Sequence, residues 1–379
     1  MISITDFSKN TDAIINLLTK LVSLESPSTD KTAVDRLGSS LVEELTSLGA
    51  VVQIDQQATV GNNIIAKWNP SDSGNGILLL SHMDTVFELG TLHHRPIRTE
   101  NNRYYGPGAL DMKASIAIFL YGMRWLREHG QFPEGPITAL FTSDEETGSE
   151  ASRQLIEELA TQSALSLCLE PALPDGSLKT ARKGTGDIEI VTHGKAAHAG
   201  ADHEKGRNAI EELAYHILAV QKLTDYACGT TVSVGVINGG TRTNVVPDQA
   251  RALVDFRVAD QKEADRIRQW ASQRTPVLDG TQVTISVRQD RPPMPCDTTM
   301  VRTFQKVQTI ANQLGLHLTE GSTGGGSDAN FVASLGVPVM DGLGAVGEGA
   351  HSEREYVFLS SLAERAALLA AILTEWRTI

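Results

Sequence analysis

Along the first fifty residues apolar side chains recur every three to four positions, the spacing of a helix that buries one face. Residues 11–24 and 31–48 are each expected to form such a helix, the second stopped at Gly49, since glycine readily closes a helix with positive φ. The pattern then changes to short, almost wholly apolar runs at 63–68, 77–80, 137–141, 166–169 and 337–340, alternating with helical stretches such as 114–128 and 150–161. Runs without a polar face belong to strands covered on both sides, so this part predicts an α/β sheet packed between helices. Between about 184 and 287 the runs lengthen and alternate, as in "DIEIVTHG", "TVSVGVING", "ARALVDFRV" and "TQVTISVRQ", and amphipathic stretches at 208–223 and 261–274 separate them. That segment predicts an antiparallel sheet with two helices on one face. The expected organisation is an α/β domain in two pieces, 1–182 and 291–379, interrupted by an inserted α+β domain, 183–290.

Composition narrows the function classes. A chain of 379 residues is too long for one ordinary core, and its 41% hydrophobic and 21% charged residues are those of a folded globular protein. With 33 basic and 46 acidic residues the net charge is −13, a field that repels phosphate backbones and anionic lipid surfaces. Neither nucleic acid nor a membrane is an expected partner. No apolar run approaches the roughly 20 residues needed to cross a bilayer, and the start "MISITDFSKNTDAIINLL" lacks a basic segment followed by a long apolar one, so the expected location is cytoplasmic. Cys168, Cys228 and Cys296 are widely spaced with no Cys-x-x-Cys pair, which argues against a disulfide framework and a thiolate metal site. Any metal must be held by nitrogen and oxygen.

Such ligands cluster where the strand-like runs end. "GILLLSHMDTV" places His82 and Asp84 after one run, and "ALFTSDEETGS" places Glu145 and Glu146 after another. "LCLEPA" adds Glu170, "GPGALDMK" sets Asp111 in a glycine turn, and "GEGAHSEREY" supplies His351. In an open α/β sheet, ligands bind beyond the carboxyl ends of the strands, where these residues fall. Two histidines with Asp84, Asp111, Glu146 and Glu170 suit zinc, and they are too many for one open site and enough for two. One carboxylate must then bridge ions lying roughly 3.5–4 Å apart, a recurring hydrolytic arrangement.

In these five motifs, in this order, the chain resembles the co-catalytic zinc aminoacylase and glutamate carboxypeptidase family of amidohydrolases, which includes acetylornithine deacetylase and succinyl-diaminopimelate desuccinylase. The resemblance covers nearly the whole chain. It implies a zinc-exopeptidase-like three-layer catalytic domain with an inserted two-layer lid that forms a homodimer. It implies two Zn2+ per chain, with Co2+ or Mn2+ as possible substitutes, held by His82, Asp111 as the bridge, Glu146, Glu170 and His351. It also makes Asp84 an orienting group behind His82 and Glu145 the general base. The two glutamates need separate roles, and neighbours on an extended segment point to opposite sides.

The inserted segment carries "HGKAAHAGADHEKGRNAIEELA". The resemblance implies that His198 reaches the partner subunit's active site to stabilise the oxyanion. The family often has proline before the glutamate of this stretch, whereas here His203 precedes Glu204. Downstream, "NGGTRTNVVPDQARALVDFRV" matches too, making Asn244 and Arg257 candidates for holding a substrate carboxylate, and Arg291 of "RQDRPPMP" matches an arginine of the glutamate carboxypeptidase branch. "GSTGGGSDANFVASLG" is no nucleotide loop, lacking Gly-x-x-x-x-Gly-Lys-Ser/Thr; Ser327 or Asp328 is expected to cap a helix, with Gly325 among glycines that let backbone amides approach an anion. The resemblance makes that anion the substrate carboxylate. The expected activity is zinc-dependent hydrolysis of an amide in a small N-acyl amino acid or peptide with a free carboxylate, as in the glutamate carboxypeptidase branch. The alternatives are an N-acyl amino acid deacylase, such as an acetylornithine deacetylase, and a catalytically silent metal-binding dimer.

Overall fold

The computed structural model describes residues 2–70 and 76–376. The chain divides into two compact units: Met1–Ala181 with Cys296–Ser322 and Ser327–Ile379, and Arg182–Pro295 with Thr323–Gly326. The glycine loop thus groups with the second unit.

The first unit is built on an eight-stranded mixed sheet in the order Val51–Asp55, Asn63–Trp68, Ile137–Thr142, Gly76–His82, Ser163–Cys168, Val339–Asp341, Leu178–Arg182 and Glu320–Thr323. Four consecutive strands, Ile137–Thr142, Gly76–His82, Ser163–Cys168 and Val339–Asp341, pair parallel. In Gly76–His82 every residue after the first is buried, as a strand covered on both faces requires. The cover includes the helix Ala114–Glu128, with twelve buried residues, against which Thr11–Val22 and Leu359–Glu375 pack. Helix ends follow local chemistry. Asp30 caps Lys31–Ser47 by accepting from the Ala33 amide, and Gly49 past its end takes φ 79°. Among the described residues no helix is long and apolar enough to cross a membrane.

The second unit is a four-stranded antiparallel sheet ordered Thr231–Gly239, Gln249–Val258, Gly184–His193 and Gln282–Arg291. In Gln249–Val258 the even-numbered residues are buried from Ala250 to Val258, and they join Leu213, Val220 and Ile267 of the helices Ala209–Gln221 and Gln261–Ser272 in one core. Arg291, expected to open the second catalytic segment, instead ends the last strand of this unit, because the alternating pattern continues past Val287.

Candidate metal centre and catalytic site

Parallel strands end on the same side, which brings side chains far apart in sequence to one edge. His82 is the last residue of Gly76–His82, and Glu170 follows Ser163–Cys168 by two residues. Glu145 and Glu146 follow Ile137–Thr142. They lie in the 3-10 turn Glu145–Thr147, not on the extended segment expected, because Asp144 gathers the chain there. Its carbonyl accepts from the Thr147 and Ser149 amides, and its carboxylate accepts from Ala151 N and Ser152 Oγ. The two glutamates still diverge: Glu145 comes together with His82 and Glu170, whereas Glu146 comes together with His82 and Asp111.

Asp111 lies in the turn Ala109–Lys113, entered through Gly108 at φ 68° and containing a cis peptide between Asp111 and Met112. Only glycine fits at 108, since a Cβ would fall 2.5 Å from Thr85 Cγ2. The two Asp111 oxygens face different histidines: Oδ1 is 3.0 Å from His82 Nε2 and Oδ2 is 3.2 Å from His351 Nε2. His351 Nε2 also lies 3.0 Å from Glu146 Oε2, and His82 Nε2 lies 3.6 Å from Glu170 Oε1. The other ring nitrogen of His82 is 3.0 Å from the Asp84 carbonyl, an arrangement that orients the ring. The fully buried Asp84 carboxylate accepts from Ser28 Oγ at 2.7 Å and from the amides of Glu145 and Glu146 at 3.3 and 3.2 Å. A single aspartate therefore braces the imidazole and both glutamates.

The electrostatics reflect this crowding. Burial alone would push the His82 imidazole down, but Asp111 and Asp84 outweigh it and hold it well above its ordinary range. Burial would likewise raise Asp111, yet hydrogen bonds from His351 and His82 hold it below the usual carboxylate range. Burial raises Glu146 despite its bond to His351, and Asp111 and Glu146 together push His351 up to about 11. Glu146 Oε1 is buried without a hydrogen-bond partner among the described residues. Four carboxylates converging on two imidazoles, one oxygen orphaned, form a nitrogen and oxygen donor set that fits divalent cations.

Three supporting groups were not read from the sequence. Glu355 is fully buried and accepts from the amides of Gly108, Leu110 and Asp111 at 3.0, 2.8 and 3.1 Å, tying the His351 loop to the Asp111 turn. Burial pushes it up to about 7 against those bonds. Lys113, lowered by burial to about 7, donates to the Leu24 carbonyl at 2.7 Å. Lys179 Nζ stands 3.9 Å from Glu170 Oε2. The available signal was positional: Glu355 follows His351 by four residues, Lys113 follows Asp111 by two, and Lys179 opens no recognisable pattern.

The remaining candidates lie in the second unit. Exposed His198 accepts at Nδ1 from the Gly200 and Ala201 amides, both at 3.1 Å, which leaves Nε2 to donate. Asn244 is exposed, its carbonyl accepting from Ala199 N at 3.0 Å. Arg257 is held by Asp255 through Nε at 3.1 and 3.0 Å and Nη2 at 2.7 Å, so its fork already has a carboxylate partner. Arg291 is buried beside Gly326, where a Cβ would lie 2.6 Å from its Cδ. Arg182 Nη1 donates to the carbonyls of Gly325 and Gly326 at 3.1 and 3.0 Å, fixing the glycine loop between two arginines. The helix after the loop, Ala329–Ser334, starts behind Asp328, whose side chain makes no capping bond, while Ser327 Oγ accepts from Ala329 N at 3.2 Å. Asp328 instead accepts from Ser149 and Thr142.

Residues 78–375 match the model of the peptidase family M20/M25/M40. The chain belongs to that family. It is 33% identical over 370 residues to carboxypeptidase G2 of Pseudomonas sp. (strain RS-16), covering 96% of this chain and 89% of that protein. It is 28% identical over 364 residues to the succinyl-diaminopimelate desuccinylase of Methylorubrum populi, covering 89% and 92%. The fold matches that of the YXEP protein of Bacillus subtilis, a dinuclear metal-binding peptidase of the M20 family, with a TM-score of 0.72 at 16% identity over 98% of this chain and all of that one. Membership makes the chain a hydrolase of the peptidase and amidohydrolase kind, and the resemblance read from its motifs holds.

Proposed function

We propose that this M20-family enzyme hydrolyses the amide bond joining an acyl or peptidyl group to an amino acid with a free carboxylate, using two zinc ions per chain. The observation that carries the reading is the pair of overlapping donor groups, His82–Glu145–Glu170 and His82–Asp111–Glu146, with His351 on the second and each Asp111 oxygen turned to a different histidine. His82, Asp111, Glu146, Glu170 and His351 would hold the metals, Asp111 bridging. When bound, the metal pair supplies Lewis-acid polarisation of the scissile carbonyl and acidifies water. Glu145 takes the proton of the attacking water and returns it to the leaving amine. Asp84 keeps the His82 ring and both glutamates in register. Arg291, with the Gly325 loop fixed by Arg182, binds the substrate carboxylate with Asn244; Arg257 contributes by breaking its pair with Asp255.

The second unit also supports a homodimer. Strand Thr231–Gly239 ends its sheet, and Val236 and Ile237 on it are 46% and 56% exposed. Leu218 of the helix Ala209–Gln221, which packs on that strand, is 66% exposed. An unpaired apolar edge of this kind invites strand pairing with a second copy. The exposed free thiols of Cys228 and Cys296 suit the reducing cytoplasm.

The likeness to a succinyl-diaminopimelate desuccinylase supports a second reading, deacylation of an N-acyl amino acid. A panel of dipeptides, N-acyl glutamates and N-acetylornithine, assayed with zinc and after chelation, separates the two. Cleavage of C-terminal glutamate conjugates in preference to N-acetyl or N-succinyl diamino acids is expected. The reverse order supports the deacylase, and turnover unaffected by chelation removes both.

A further inference from the structure

The segment that carries the two glutamates lies wholly in the first unit and bends sharply just past them. Gly148 and Ser149 follow one another at φ 103° and 57°, in the left-handed region. Glycine enters that region freely, whereas serine does so at a cost that its surroundings must offset. Ser149 is fully buried, so bulk water cannot serve its hydroxyl. Asp328, itself 4% exposed and 179 residues further along the chain, supplies the partner: Oδ1 accepts from Ser149 Oγ at 2.5 Å, and Oδ2 accepts from Thr142 Oγ1 at 3.3 Å. Thr142 ends the strand that leads into the segment, and the amide of Arg153, which opens the helix after it, donates to the Ser149 carbonyl at 2.9 Å. One carboxylate therefore fastens both the entry to the turn and its far side.

Two aspartates thus shape the segment, Asp144 from within and Asp328 from outside, and the two glutamates depend on it differently. The Glu146 carboxylate meets His351 and, as a ligand, would be fixed by its ion as well. A base is not fixed by an ion. Its placement rests on the backbone that presents it, and misplacing a catalytic group by about 1 Å can cost roughly 10²-fold in rate. Asp328 stands on the matching side: it borders the same narrow gap as Glu145, His82 and Glu170, whereas Glu146 and Asp111 do not line that gap.

We infer that Asp328 is a positioning residue for the reaction, holding Ser149 and Thr142 so that Glu145 is presented to the attacking water. The inference rests on the reading of Glu145 as the base. The test is steady-state kinetics of the zinc-loaded full chain, repeated with excess zinc, on whichever panel substrate the wild type turns over fastest. Asp328→Ala should lower kcat about ten- to hundredfold at both zinc levels with KM near wild type. Asp328→Asn, which keeps one acceptor oxygen, should recover part of that loss. In a Glu145→Gln background Asp328→Ala should cost nothing further, since a residue that acts through another has no effect left once the other is disabled. Ser149→Ala should behave like Asp328→Ala, and it carries the test alone if Asp328→Ala fails to fold by circular dichroism. Losses that add in full in the Glu145→Gln background, or a loss that excess zinc abolishes, overturn the inference and leave Asp328 a support of the fold or of the metal ligands. Wild-type kcat in Glu145→Gln by itself overturns the reading of Glu145 as the base, and this inference with it.

Discussion

The residue scale turns on two adjacent glutamates. Glu145 lies close enough to His82 and Glu170 to serve as a ligand, while the proposed mechanism makes it the base. Glu145→Gln discriminates, since it keeps size and hydrogen bonding while removing proton transfer. We expect kcat to fall by roughly 10² or more with metal content and KM near wild type; loss of one metal per chain by elemental analysis would instead make Glu145 a ligand. Asp111→Ala should empty both metal positions together, because each oxygen faces a different histidine. Glu355 acts one step back. Glu355→Gln turns an amide donor toward backbone N–H groups that now meet carboxylate oxygens, so the Asp111 turn loosens, and metal affinity should drop about 10- to 100-fold in chelator competition. An unchanged affinity would reduce Glu355 to a structural prop. The strand-end candidates were legible because the apolar run "GILLL" directly precedes His82. Glu355 was not, since its role depends on a turn 244 to 247 residues away in sequence.

At the scale of elements, periodicity located the strands that carry the site, and it erred where a local bond decided the conformation. The run at 77–80 extends to His82 itself, because pairing with Ile137–Thr142 continues through the histidine. The "DEE" segment was expected extended, but Asp144 folds it into a turn through bonds no hydrophobic pattern encodes. The second unit was more readable, its strands alternating cleanly, yet its buried Glu212 gave no sign in sequence. That carboxylate accepts from the amides of Val277 and Leu278, both at 2.8 Å, from Thr281 Oγ1 at 2.9 Å and from the His216 ring at 2.8 Å, stapling the helix Ala209–Gln221 to the turn before the last strand. Burial would raise its pKa, but these donors outweigh it and hold it low. Because the folded pKa lies below the unfolded value of about 4.3, the stabilisation is present above that pH and is lost as pH falls through the folded pKa. Glu212→Gln should cost about 2–4 kcal/mol at pH 7, with wild type and variant converging in thermal unfolding only as the pH falls through the lowered folded pKa of Glu212. Parallel stability curves across that range would contradict the assigned protonation.

At the scale of the whole molecule, the chain separates its chemistry between two units. Every metal-capable residue of the cluster lies in the first, and His198 lies in the second. We propose that His198 of one chain serves the metal pair of its partner, joined through the exposed edge strand Thr231–Gly239. Its ring is suited to the task, since Nδ1 is occupied by two backbone amides and Nε2 remains to donate to a developing oxyanion. A preorganised donor of that kind typically contributes ~3–4 kcal/mol, so His198→Ala should lower kcat about 10²- to 10³-fold. Complementation tests whether it acts across subunits. His198→Ala and Glu145→Gln homodimers are each inactive, but after subunit exchange a heterodimer contains one intact site, formed by the Glu145 of the first chain and the His198 of the second. Activity should recover to at most about half of wild type per heterodimer. Differently tagged chains that co-purify without any gain in activity would place His198 in its own chain's site or outside catalysis altogether. Recovery that disappears when Val236→Lys disrupts the edge strand would place the shared site at that edge.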